Sequence, residues 1–534
     1  MKTGQHQVVV VGGGATGTGI LRDLAMRGID AILVEQGDLA HGTSSRFHGL
    51  LHSGARYAVR DREAARECLE ENMILRRIAP GFIEDTGGVF ALGPGDDPSY
   101  CGRWLEACRE AGIPAVEIDP RELARANPAL SPDIARAFKV PDGSVDGFRV
   151  IRGNVASAVR HGATCLTYSK VTAVHSSNGS ITGVEINDRL TGELCLIRCP
   201  ILVNAAGPWA EEIAAMAGVE LKIIKDKGTL VAFNHRLTAN VVNRLRPPGD
   251  GDIFVPHDTV TIFGTTSEPV DSPGHNRPFR SEVQKLLQEG ERLVPGIEKY
   301  RLIRSFAGVR PLYQAGRTTD ARSVSRNFAL LDHGAIDGLS GFITIVGGKF
   351  STFRLMAEKT ADLVAAMLGT KAPCHTAAEP ISAPVREEMV KRGFKVFGVP
   401  GSYRAAGRLE GQFKDVLEQA RHDPGKGSML CQCELVSLAE IEHAARMPDS
   451  HNLGDIRRKT RMGMGTCQGT FCSYRTLGAL SETAKFSSHP REHLDNFLQK
   501  RWKGIRPILW GQQLREASLS IGIYCSLFGL ERMK

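Results

Sequence analysis

Two stretches carry the strongest chemical signals, a glycine-rich turn near the start and four cysteines near the end. Gly12-Gly13-Gly14-Ala15-Thr16-Gly17 satisfies G-x-G-x-x-G. In such a turn Gly12 permits the tight reversal and Gly14 lets a pyrophosphate reach the backbone. Gly17 lets the next helix pack close to its strand. Ala15 and Thr16 open that helix, whose N-terminus offers free N–H groups and a partial positive charge to phosphate oxygens. Glu35 closes the second strand, where a carboxylate accepts a hydrogen bond from a ribose hydroxyl. The expected chemistry is dinucleotide binding, with NAD or FAD favoured over NADP by the acid. A glycine turn without a ligand is the bland alternative.

Cys431-Gln432-Cys433 and Cys467-Gln468-Gly469-Thr470-Phe471-Cys472 form C-x-C followed by C-x4-C. Structural zinc sites more often use C-x2-4-C on both sides, so spacing favours an iron–sulfur cluster, with zinc and free thiols still open. Gly463 and Gly465 would let backbone N–H groups turn toward sulfur, and Arg457, Arg458, Lys459 and Arg461 could offset thiolate charge. A two-electron cofactor on the same chain needs a one-electron outlet, which again favours the cluster.

The loop HGTSSRFHGLLHSGARY, residues 41–57, places Thr43, Ser44, Ser45, His48, His52, Arg56 and Tyr57 among glycines and leucines. It reads as a cofactor-lining loop rather than a solvated one. In Gly308-Val309-Arg310-Pro311-Leu312 an arginine sits among apolar positions. A buried guanidinium needs an anionic partner, either protein carboxylate or ligand. Ala206 and Gly207 follow a buried strand and would let backbone approach a nucleotide. Gly347-Gly348-Lys349 is a sharp turn before a long helix whose dipole would favour an anionic ring above it.

These residues need elements to hold them. Val8–Val11 and Ala31–Val34 read as buried parallel strands flanking a helix. Residues 61–79 form an amphipathic helix with Ala65, Leu69, Met73 and Ile74 on one stripe. Residues 114–148 read as short helices and turns. Strands 252–256 and 260–264 read as a hairpin, and 281–293 as a helix opened by a Ser281–Gln284 capping box. A second box, Ser437–Glu440, opens a helix between the cysteine pairs. The expected layout is an α/β (α+β) protein. A Rossmann-like dinucleotide domain over 1–370 has binding segments near 1–80, 149–219 and 316–370. An inserted antiparallel-sheet substrate region takes 81–148 and 220–315. A linker with short helices, 371–425, leads to a small helical cysteine domain, 426–480. A C-terminal extension, 481–534, would meet a partner or pack on its own domain.

Composition bounds the class. The 534 residues are 42% hydrophobic and 24% charged, with a formal net charge of +8. Without a basic low-complexity run, nucleic acid is not an expected partner. No apolar run reaches the roughly 18 residues of a membrane span, and no signal peptide is visible. A cytoplasmic location is expected, where twelve cysteines suit metal or redox use rather than disulfides.

Together these motifs resemble the FAD-dependent glycerol-3-phosphate dehydrogenase family, most closely the large catalytic subunits of its anaerobic, three-subunit branch. The similarity rests on GGGATGTGI, HGLLHSGARYAV, NAAGPWA, GTTS, Ala307 to Leu312, Ser323 to Arg326, ITIVGGKFSTFRLMAE, MGMGTCQGTFC and RWKGIRPILWGQQLRE. It spans nearly the whole chain except 370–425. Phe47 and Phe350 stand where more polar or aliphatic residues are expected, and Ser45-Arg46 departs in its loop.

The resemblance implies a D-amino-acid-oxidase-like FAD fold and a bacterioferritin-associated-ferredoxin-like 2Fe-2S domain held by Cys431, Cys433, Cys467 and Cys472. It implies oxidation of sn-glycerol 3-phosphate to dihydroxyacetone phosphate, with hydride passing to the flavin. Electrons would go through two partner subunits, one of flavin type and one a membrane-anchoring iron–sulfur protein, to quinone at the inner face of the cytoplasmic membrane. Gly12, Gly14, Ala15, Thr16, Gly17, Glu35, Thr43, Ser44, Ser45, His52, Ala206, Gly207, Gly347, Gly348 and Lys349 would bind FAD. Arg56, Tyr57, Arg310, Arg326 and Lys349 would hold substrate. His52 or His235 would take the hydroxyl proton, or Arg310 would stabilise the alkoxide. Two other readings keep the layout: an amine or amino-acid dehydrogenase component of opine or glycine type, and an electron-transfer scaffold.

Overall fold

The computed structural model describes residues 2–313 and 327–530. The glycine turn follows an interior strand of a six-stranded sheet. Its order is Thr164–Leu166, Ala31–Val34, Val8–Val11, Ile201–Asn204, Phe342–Gly347 and Phe328–Asp332, parallel except for the last strand. Val8, Val9 and Val10 are fully buried, as both faces are covered. Helices Ala15–Met26 and Phe353–Met367 cover one face, packing Ile20, Leu24, Met356 and Val364 on Val8 and Ile343. A four-stranded sheet and helix Ala210–Met216 cover the other. Each such valine contributes about 1.5–3 kcal/mol by leaving water.

A nine-stranded, mostly antiparallel sheet carries the substrate side. Its long strands Ile224–Phe233 and Leu302–Leu312 pair with Asp226 opposite Arg310. The expected hairpin is present as Ile253–His257 and Val260–Gly264. Residues 114–148, expected as short helices and turns, also supply strands, Val116–Ile118 and Arg136–Val140 to this sheet and Gly143–Val145 to a small one. Residues Ala137, Phe138 and Val140 there are buried, a strand signal too short to stand out among the neighbouring prolines.

Two helix details differ from expectation. Helix Arg62–Ile78 buries Ala65, Cys68, Asn72, Leu75 and Ile78, while Met73 lies out at 55% exposure. The helix expected at Ser281 begins earlier, as Arg280–Gly290, and the Phe279 N–H donates to Glu282 at 2.9 Å. Glu282 faces inward because Lys227 and Thr229 donate to it at 3.1 and 2.7 Å, so Ser281 does not cap. The second box forms as expected, with Ser437 N–H donating to Glu440 at 2.9 Å.

Within 371–425, helices Phe394–Phe397, Val399–Leu409 and Phe413–His422 bring Phe397, Ala405, Phe413, Val416 and Leu417 into a core shared with Ala439 of the cysteine unit. Helices Pro490–Ile505 and Gln512–Phe528 pack on that same unit through Phe497, Trp502 and Tyr524. Among the described residues no helix is long and apolar enough to cross a membrane.

Candidate active site

A cavity of about 960 Å³ opens between the two large sheets. The glycine turn closes one end. Gly12 has φ +116°, and a Cβ there would strike the Ala205 carbonyl. A Cβ on Gly17 would overlap the Gly12 carbonyl oxygen, so helix Ala15–Met26 can meet its strand only through glycine. No side chain of Gly14 caps this helix; instead the Ala15 N–H donates to Ser44 Oγ at 3.0 Å. A polar hydroxyl and free N–H groups thus face the space a pyrophosphate needs. The Glu35 carboxylate is fixed by the Gly13 and Gly37 N–H groups, each donating at 2.7 Å. Burial raises its pKa, and those two hydrogen bonds oppose the rise.

Cations gather at the other end. Arg56 donates to Asp252 at 2.8 Å. Arg310 donates to Asp226, Thr265 and the Thr266 carbonyl. The partner foreseen for Arg310 is therefore a protein carboxylate, with the guanidinium edge still on the cavity wall. Lys349 Nζ is buried with no hydrogen-bond partner, 5.0 Å from the centre of the Tyr57 ring. An unpartnered buried ammonium is costly, and here it faces a cavity that an anion can enter.

Two histidines lie among these cations. The rings of His48 and His52 are 5.8 Å apart, and His52 and Tyr57 5.2 Å. Burial, then Arg56 and Arg310, pushes His48 down to about 3. Burial, then His48, Arg56 and Lys349, holds His52 well below the usual range. Both are neutral at pH 7. The Leu50 N–H donates to His48 Nδ1 at 3.1 Å, so the His48 proton is on Nε2. Asn72 and Ser351 fix the His52 backbone, Nδ2 donating to its carbonyl at 3.1 Å and its N–H donating to Ser351 at 3.0 Å.

Of the residues expected here, Gly12, Gly14, Ala15, Thr16, Glu35, Thr43, Ser44, His52, Arg56, Tyr57, Ala206, Gly207, Arg310, Gly347, Gly348 and Lys349 line this cavity. Gly17 acts behind the wall, by packing. Ser45 does not join them. Its hydroxyl donates to the Gly42 carbonyl at 3.3 Å, and it lines a different cavity. His235 is corrected as well. It is exposed just beyond strand Ile224–Phe233, edge-on to Tyr300, because the chain has already left the sheet there. Arg326 lies outside the described residues. Sequence reasoning missed His41, Trp209, Thr265, Thr266 and the two arginine-holding aspartates. GTTS and NAAGPWA pointed to three of these as motifs, while nothing local marked Asp226 or Asp252.

The cysteines form a second group. Cys433 Sγ lies 3.7 Å from Cys467 Sγ. Cys467 also contacts Cys472, and Cys472 contacts Cys431, so the four sulfurs form one connected group. Thiol hydrogen bonds from Cys433 and Cys472 make Cys467 the favoured thiolate, and the N–H groups of Phe471 and Gly469 add to this. The N–H groups of Gly463 and Glu434 point at Cys431. Gly463 and Gly469 have positive φ and pack on the Phe497 ring. Among the described residues no three His, Cys, Asp or Glu side chains converge on a point suited to a single ion.

A family model described as FAD dependent oxidoreductase matches residues 7–358. An Escherichia coli (strain K12) protein, named as one of the subunits of anaerobic glycerol-3-phosphate dehydrogenase, is 44% identical over 542 residues, covering 100% of this chain and 99% of its own. A Haloferax volcanii protein, also named as one of the subunits of that enzyme, is 44% identical over 525 residues, covering 96% and 89%. The solved glycerol-3-phosphate dehydrogenase from Bacillus halodurans, complexed with FAD, shares the fold with a TM-score of 0.71 at 22% identity, over 95% of this chain and 96% of that one. The dinucleotide turn, the cation-lined cavity and these likenesses agree, and the chain belongs to the FAD-dependent oxidoreductase family, within it to the subunits of anaerobic glycerol-3-phosphate dehydrogenase that these two relatives represent.

Proposed function

We propose that the chain oxidises sn-glycerol 3-phosphate to dihydroxyacetone phosphate. The observation that carries this is the convergence of Arg56, Arg310 and the unpartnered Lys349 beside two neutral histidines, at the far end of a dinucleotide cavity. When bound, FAD supplies the two-electron acceptor for the C2 hydrogen. The Ser44 hydroxyl, oriented by the Ala15 N–H that donates to it, would hold its pyrophosphate, and Glu35 a ribose hydroxyl. Lys349 and the free edges of Arg310 and Arg56 bind the substrate phosphate. Charge-assisted hydrogen bonds of this kind contribute about 1.5–3 kcal/mol each.

His52 takes the C2 hydroxyl proton. His48 already carries its proton on Nε2, so it serves as a donor that positions the hydroxyl. An entering phosphate dianion offsets Arg56 and Lys349, two of the cations that depress His52, and so raises its basicity when substrate is present.

The four-cysteine group supports a 2Fe-2S cluster as the one-electron outlet. Two adjoining pairs with backbone N–H groups aimed at sulfur suit two irons better than one zinc. Electrons then pass to two partner subunits, one of flavin type and one a membrane-anchoring iron–sulfur protein, and so to quinone. The chain itself would be cytoplasmic and held at the membrane by those partners. An amino acid brings a single carboxylate and leaves part of the cation set unused, which favours phosphate over the amine-oxidising reading. The test is anaerobic mixing of iron-replete protein with sn-glycerol 3-phosphate. Bleaching of the flavin band, then a reduced-cluster signal, is expected. Bleaching with an amino acid alone would transfer the chain to the other reading.

A further inference from the structure

Arg56 ends a chain of ion pairs that leads away from the substrate cavity. It donates to Asp252 Oδ2 at 2.8 Å, and Arg246 Nε donates to the other oxygen of that carboxylate at 2.8 Å. Arg246 also donates to Glu289 at 3.0 Å. Glu289 accepts a second 3.0 Å bond from Arg244, and Arg244 pairs with Asp96 at 2.7 Å. Three guanidinium groups thus alternate with three carboxylates. Of these six residues Arg56 lines the cavity, and the other five stand behind its wall. The reaction derived above gives no part to Arg246.

The loop between these charges is folded onto them. Pro248, Gly249 and Asp250 line the cavity. The Gly249 N–H donates to Asp252 at 2.6 Å and its carbonyl accepts from Arg56 at 3.3 Å, while Arg246 donates to the Asp250 carbonyl at 2.9 Å. Gly251 turns the chain at φ +61°, where a Cβ would come within 2.7 Å of the Glu289 side chain. Asp252 is fully buried. Burial alone would raise its pKa, but Arg56, then Arg246, hold it below the usual carboxylate value. It is therefore ionised at pH 7, and two guanidinium groups divide its charge.

That division decides what a ligand meets. Arg56 and Asp252 alone would cancel, and the pair would attract an anion only weakly. With Arg246 on the far oxygen the three groups keep one net positive charge, and Arg56 keeps its pull on an anion at its free edge. Glu289 lies one step further off and is itself shared with Arg244. Partly buried charges are screened little by salt, so the influence of Arg246 extends to the cavity. We infer that Arg246 is a positioning residue for the substrate phosphate: by sharing Asp252 it leaves Arg56 free, in charge and in orientation, to bind the ligand. This rests on the phosphate-binding role given to Arg56 above.

The test uses the FAD-loaded full chain. Inorganic phosphate is titrated without substrate, and its binding is read from the shift of the flavin band. Arg246→Met should weaken phosphate binding about tenfold, the weight of one charged contact. Combining it with Asp252→Asn removes one charge of each sign, so Arg56 regains its net charge and most of the affinity should return. A merely structural role predicts the reverse, because the double variant loses more of the loop's anchoring than the single one. Should Arg246→Met fail to hold FAD, Glu289→Gln removes a carboxylate from the same chain, and phosphate should bind tighter. The inference is overturned by unchanged binding in Arg246→Met, by a double variant no better than the single, or by equal or weaker binding in Glu289→Gln. Absence of any phosphate-induced shift in the parent overturns it as well. Flavin reduction by sn-glycerol 3-phosphate is read separately. A parent that binds phosphate but is not reduced would sink the proposed reaction and leave this inference standing.

Discussion

The rings of Phe47 and Phe350 stack, their centroids 4.5 Å apart and their planes within 17°. One ring belongs to the loop of residues 41–57 and the other follows the Gly347-Gly348-Lys349 turn. Phe47 lines both the substrate cavity and the one beside Ser45, and Phe350 the first, so the pair is a piece of the wall between them. Gly147 makes room for it, since a Cβ there would come within 2.8 Å of Phe47 and 3.2 Å of Phe350.

The stack should therefore behave as a unit. Phe47→Leu and Phe350→Leu are each expected to lower stability, and the double variant to lose less than the sum. The coupling should be about 0.5–1.5 kcal/mol, the range of an aromatic pair. Urea unfolding of the four proteins measures it, and strict additivity would mean that the rings pack without depending on each other.

Lys349→Met tests the phosphate assignment. The ammonium has no protein hydrogen bond to lose, so the folded, FAD-loaded protein should keep its melting temperature. Loss of one charged contact, about 1.5–3 kcal/mol, should cut kcat/KM for sn-glycerol 3-phosphate roughly 10- to 150-fold. Unchanged kcat/KM with FAD bound would remove Lys349 from the phosphate site.

Much of this was legible in the sequence because its signals are local. The glycine turn, Glu35 and the cysteine pairs each declare their geometry within a few residues, and the Ser437–Glu440 box forms as spaced. What was not legible is long-range. Asp226 holds Arg310 only because two strands pair in one register, and Asp252 holds Arg56 from 196 residues further along the chain. His235 looked suitable by residue type, yet it lies two residues past the strand end at Phe233 and is exposed there. The ion pairs behind Arg56 are drawn from Asp96 to Glu289, and no window of sequence brings them together. Phe413, Val416, Leu417 and Ala420 do recur at helical spacing, a stripe that the reading of 371–425 as a linker passed over.

The buried histidines predict how stability depends on pH. His48 and His41 are depressed to about 3 and about 4 by burial and neighbouring cations. Below the ordinary value near 6.5 the unfolded chain binds protons that the folded chain refuses. Stability from these groups is thus complete above pH 6.5 and is lost as pH falls toward 4 and then 3. Denaturant midpoints should decline over that window, and His48→Asn should flatten the slope. An equal slope in the variant would show that His48 is not held neutral.

Arg310 and Asp226 allow stability and function to be separated. Asp226 is fully buried, and apart from Arg310 the Ser267 hydroxyl donates to it at 2.8 Å. Arg310→Met would leave that carboxylate without its counter-ion, a change that costs about 3–5 kcal/mol. Asp226→Leu combined with Arg310→Met removes both charges, so most of that loss should be recovered. Activity should not follow, because the guanidinium that faces substrate is gone in both proteins. Thermal unfolding and flavin reduction by sn-glycerol 3-phosphate, measured on the single and double variants, give the two readouts. If the double variant regains reduction along with stability, Arg310 is a structural ion-pair partner and the phosphate rests on Arg56 and Lys349.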